Sequence, residues 1–155
     1  MRSRGAVQVD PGRLGLEAFS GPLEVVIPYT DAALAREVLR RAVVLTEGLQ
    51  ARAILLAVHA VPFPADFRCL GSAHGFLVEQ LASLCDECTL PVTPNVVLAR
   101  SREDGLRFAL NPESTILVGT RRSILPTAEE RLARMLAADG HKVSLLHIDK
   151  ADCRG

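Results

Sequence analysis

Apolar residues fall in short runs separated by stretches of helical period, and the alternation of the two predicts the elements. The chain is organised around Leu23–Asp31, LEVVIPYTD, where Leu23, Val25, Val26 and Ile27 form a nearly continuous apolar run that Pro28 stops. A short run of this kind bounded by turn residues suits a strand covered on both faces, as in a parallel sheet under helices. Asp31 is placed to cap a first helix in which Leu34, Val38, Ala42 and Leu45 recur at helical spacing, with Gly48 at its end. A second strand is predicted over Ala53–Val61, closed by Pro62 and Pro64. Helix 2 follows from about Ser72 to Cys88, with Leu77, Leu81, Leu84 and Cys88 on one stripe. Pro91 and Pro94 punctuate its exit before a third strand, Asn95–Ala99.

Residues 99–110 fit two patterns. Ser101-Arg-Glu-Asp104 resembles a capping box opening a short helix, while Asp104-Gly105 followed by alternating Leu106, Phe108 and Leu110 fits a hairpin. The helix is preferred because it keeps the strand–helix alternation of a parallel sheet. Strand 4 is then Thr115–Val118, running into Gly119-Thr-Arg-Arg122. Thr127-Ala-Glu-Glu130 is a capping box for a last helix that carries Leu132, Met135 and Leu136 and ends at Gly140. Lys142–Ile148 is the fifth strand. This order defines an α/β domain over residues 22–150. The first 21 residues, rich in Gly and Arg, are expected as a tail or linker, with a weak strand considered around Leu14–Phe19.

Composition narrows the function classes. Apolar residues are 48% of the 155 and charged residues 23%, enough for a core without a metal or disulfide staple. Formal net charge is zero, so no global positive field draws the chain to nucleic acid or acidic membranes, and a neutral surface favours self-association. Met1–Gly15 holds no apolar stretch of a signal peptide, and no run reaches the ~20 apolar residues of a membrane span. The expectation is a cytoplasmic protein with free thiols, not inserted in a membrane.

Several motifs, in order, resemble the universal stress protein family. IPYTDAALA stands where that family has a strand ending in Val-Pro-Val-Asp-Gly-Ser. AVHAVPFP is similar to its Leu-Leu-His-Val-Val-x-x-Pro, with His59 at the usual histidine. TILVGTRR is similar to Leu-Ile-Val-Met-Gly-Ser-x-Gly, and TAEERLARMLAADGHKVSLLHI to the last helix and strand. The resemblance spans Leu23 to Ile148. It implies a five-stranded parallel sheet of order 3-2-1-4-5 with helices on both faces, Rossmann-like and similar to adenine nucleotide alpha hydrolases. It also implies a homodimer through the last strand, a role in stress response, and in many members ATP held between the ends of strands 1 and 4. A protein partner or a membrane transporter is a further implied association.

The departures from that pattern fall in the nucleotide cleft. The family's binding members carry Asp two residues after the strand-1 proline, and here that position is Thr30, with Asp31 one residue late. Gly119 matches the first glycine of the phosphate loop, but Arg122 occupies the second, and Pro126 precedes Thr127 where another glycine belongs. Only Ser123, Ile124 and Leu125 lie between, a shorter and stiffer loop than a triphosphate needs. Ordinary ATP binding is therefore expected to be lost, and no cofactor is expected. The alternative is a modified pocket for ATP or AMP, or for another anion, drawn from Thr30, Asp31, His59, Gly119, Thr120, Arg121, Arg122 and Thr127, with slow hydrolysis as its chemistry.

Other constellations point to structure. Cys85-Asp-Glu-Cys88 lies near a helix C-terminus, where the dipole opposes a thiolate, and no second close pair completes a zinc site. His59 is read as a histidine satisfied within the sheet. No serine sits in a nucleophile elbow and no paired carboxylates stand out, so a catalytic reaction is not expected.

Overall fold

The computed structural model describes residues 7–8, 23–66 and 71–149. Its elements are β1 (Val7–Gln8), β2 (Leu23–Pro28), α1 (Ala32–Leu45), β3 (Ala51–Ala60), α2 (Gly71–Asp86) and β4 (Val92–Ala99), then α3 (Arg102–Ala109), β5 (Thr115–Arg121), α4 (Ala128–Ala138) and β6 (Lys142–Ile148). They form one sheet of order β1-β6-β5-β2-β3-β4 with every pairing parallel. Setting β1 aside, the strands run 3-2-1-4-5 in chain order, the arrangement implied by the sequence motifs.

The apolar run of β2 splits between two cores by the period of the strand. Val25 and Ile27 face α1 and α2, packing with Leu34, Val38, Leu39, Leu81 and Leu84. Val26 faces the other way, into a core with Leu106 of α3 and Leu132, Ala133 and Leu136 of α4. The helices divide this way because the chain reverses its direction across the sheet. From β2 it moves to β3 and β4, then returns to β5 on the other side of β2 and continues to β6. With crossovers of constant hand, that reversal moves the later helices to the opposite face. The reversal also opens a crevice beyond the carboxyl ends of β2 and β5, the position where open α/β sheets bind ligands.

Residues 102–109 are helical, capped by Ser101, whose hydroxyl accepts from the Asp104 amide at 3.2 Å. Gly105 explains why a helix can lie here: a Cβ at this position would stand 2.5 Å from Val58 Cγ1 and 3.1 Å from Ala99 Cβ, so α3 rests directly on β3 and β4. Three local expectations shift. β4 begins at Val92 and contains Pro94, paired opposite Leu55; an edge strand tolerates proline because one of its sides makes no ladder bonds. α1 closes at Thr46, whose amide and hydroxyl both donate to the Ala42 carbonyl, with Gly48 two residues further on at φ +79°. Of the expected amino-terminal tail, Val7–Gln8 forms a strand beside β6, and the strand considered at Leu14–Phe19 lies outside the described residues. No helix among the described residues is long and apolar enough to cross a membrane.

Candidate functional site

The β2–β5 switch point brings together the fully buried Thr120 of β5, its partner Thr127 at the start of α4, and Thr30, Asp31 and Arg121 at the strand exits. Each residue is held by a local rule and then by a bond that spans the chain. Asp31 caps α1: its Oδ1 accepts from the Leu34 amide at 2.9 Å. The same carboxylate receives both terminal nitrogens of Arg121, at 2.9 Å each, in a two-point pairing from the end of β5. Hydrogen bonds from Arg121 hold the Asp31 carboxyl below its ordinary range; partial burial opposes them and the Leu34 amide assists. The pair therefore ties the exit of β2 to the exit of β5, across the line where a ligand would enter.

A second arginine closes the rim from above. Arg102, the first residue of α3, donates to the Thr30 hydroxyl at 3.0 Å. Its guanidinium is half-buried, and burial lowers its pKa while Glu129 and Glu103 oppose that shift. Beside Thr30, the Tyr29 hydroxyl donates to Gln80 Oε1 at 2.9 Å, joining the β2 exit to α2. Burial, and secondarily Asp31, push the Tyr29 phenol up.

The opening of α4 is also engaged. The Thr127 hydroxyl accepts from the Glu130 amide at 3.1 Å and shares a 2.5 Å hydrogen bond with the Thr120 hydroxyl. Glu129 and Glu130 already place negative charge in the first turn, where the helix dipole favours it. Arg122 reaches away from the crevice to Asp149 at 2.6 Å. Gly119 has a structural reason of its own: a Cβ there would overlap Val38 Cγ2, so its bareness lets α1 seat against β5.

His59 stands apart from this group. Its Nδ1 is 3.0 Å from Nδ1 of His74, in the first turn of α2. The ring centroids are 5.2 Å apart with planes 15° from parallel. Because the nitrogens are closer than the centroids by nearly two ring radii, the imidazoles meet edge to edge. One Nδ1 donates and the other accepts. Among the described residues no group of three or more His, Cys, Asp or Glu side chains is arranged to hold a metal ion. Cys85 is buried, and burial raises its thiol pKa.

The structure thus gathers Thr30, Asp31, Gly119, Thr120, Arg121 and Thr127 at one place, turns Arg122 outward, and pairs His59 with α2. Sequence reasoning missed Arg102. A signal existed: in a parallel sheet every crossover helix begins at the end where the preceding strand finishes, so a first-turn arginine lands on that rim.

No protein-family model and no curated protein matches the chain. Among solved structures it is similar to a universal stress protein in complex with cAMP, at 15% sequence identity and a TM-score of 0.45, over 82% of this chain and 96% of that one.

Proposed function

We propose that this chain is a binding or regulatory module on the universal stress protein plan, whose switch-point crevice is closed by its own side chains and does not hold ATP in the usual way. The observation that carries the reading is the two-point Asp31–Arg121 pair, with Arg102 on Thr30 beside it. A phosphate entering here would have to take Arg121 from Asp31 and then sit next to the carboxylate it displaced. Like charges at such a distance disfavour one another. The α4 terminus offers little compensation, since its Thr127 hydroxyl and its dipole are met from within.

In this reading the module works in the cytoplasm, in the stress response, through a protein partner rather than a chemical step. It pairs with a second copy along β6, whose sequence after Lys142 is uncharged and mostly apolar. Isothermal titration with ATP, AMP and cAMP tests the cleft. The expected result is no saturable heat up to about 1 mM ligand, the regime of binding weaker than about −4 kcal/mol. Micromolar ATP affinity overturns the reading.

A further inference from the structure

The two edges of the sheet are protected by different means. β4 carries Pro94 inside its ladder, and Thr93, Pro94 and Asn95 are exposed. Proline and polar residues are among the devices that keep an edge from pairing with another chain. β6 opens on the exposed Lys142, and beyond it Val143-Ser-Leu-Leu-His-Ile148 contains no proline and no Lys, Arg, Asp or Glu, with Ser144 and His147 as its polar positions. What lies on its outer side is β1, two residues long, with Val7 opposite Val143 and Gln8 opposite Ser144. Among the described residues no strand lies on that side of Leu145–Ile148.

A second copy needs the same edge. Two identical strands joined by a twofold axis run antiparallel. Centred between Leu145 and Leu146, such a pair would use all of Val143–Ile148, but β1 covers the first two of those positions. With β1 in place the edge left unpaired among the described residues shrinks to Leu145–Ile148, and the pairing must shift toward the end of the strand. A two-residue ladder makes few hydrogen bonds, so β1 belongs to the part of the fold that opens most easily.

We infer that β1 is an intramolecular cap on the edge used by a second copy, so that the chain dimerises fully only by displacing its own amino-terminal strand. The inference rests on the reading of β6 as the dimer edge.

The test is sedimentation velocity on the full chain and on the full-chain double variant Val7→Pro/Gln8→Pro, in which β1 has no amide donors. The variant is expected to dimerise with a Kd lower by about tenfold or more. Hydrogen exchange on the unaltered protein supplies a second readout: the Val7 and Gln8 amides lose protection as concentration rises through the dimer transition. If both proteins dimerise with the same Kd and those amides stay protected, the cap is refuted while the dimer stands. If neither associates up to about 100 µM, an affinity weaker than about −5.5 kcal/mol, the dimer reading fails and takes the cap with it.

Discussion

Replacing Asp31 by Asn separates its two roles. An Asn amide caps a helix about as well as a carboxylate, so the bond from the Leu34 amide is retained. What is lost is the charge that holds Arg121. Both side chains remain partly exposed, 41% for Asp31 and 36% for Arg121, so solvent weakens the pair, while its two-point geometry places it near the top of the range for exposed ion pairs. The expected cost of Asp31→Asn is about 1 kcal/mol. For a domain of this length that is a fall in Tm of roughly 2–4 °C. Asp31→Ala removes the cap as well and should cost about 2 kcal/mol. A double-mutant cycle with Arg121→Met, read by urea unfolding, isolates the coupling at about 1 kcal/mol. The pH dependence fixes the sign. Arg121 lowers the folded-state pKa of Asp31, so the stabilisation is present above the unfolded carboxyl value of about 3.9 and disappears as pH falls through the lower folded value. The coupling should be flat between about pH 5 and 8, vanish in stronger acid, and shrink in about 1 M salt. A coupling below about 0.3 kcal/mol near neutral pH, or one unchanged in acid, refutes the pair as the clasp of the crevice.

Gly119→Ala places a methyl against Val38, a buried β-branched side chain with no room to turn aside, and should cost about 1–3 kcal/mol by denaturant unfolding. His141 accepts the Ser114 amide at 3.1 Å, and burial lowers its pKa with Asp139 opposing. The unfolded chain therefore takes the proton first, and stability falls as pH drops below about 6.5 toward the folded value. His141→Asn should remove that part of the pH profile, and parallel urea midpoints for the two proteins across about pH 5–8 would contradict it. Cys85, buried and with a raised thiol pKa, should be alkylated more slowly than half-buried Cys88 in site-resolved peptide mapping, the two converging on unfolding.

Local chemistry was legible along the chain. Asp31, Ser101 and Thr127 cap helices as their residue types predict, and the alternating cores follow from the runs at Val25–Ile27 and Thr115–Val118. What could not be read is whatever depends on which strands become neighbours. Asp31 and Arg121 are 90 positions apart and meet only because β5 lies beside β2. Arg102 and Thr30 meet only because α3 starts at the same end of the sheet. Pro94 reads as punctuation until β4 proves to be an edge. Gly119 shows a subtler limit. Its place in a phosphate-loop pattern suggests backbone approach to a ligand, while the contact that requires glycine is Val38 on the neighbouring helix. A missing side chain announces a close approach without saying from which side.

The proline in β4 has a consequence for assembly. A sheet with two open margins can add copies at both, and nothing stops the growth of a fibre. Here one margin lacks a backbone donor and presents polar residues to water, so in the reading proposed above joining falls to the β6 margin. Any margin-to-margin union of this protein is complete once two chains have met.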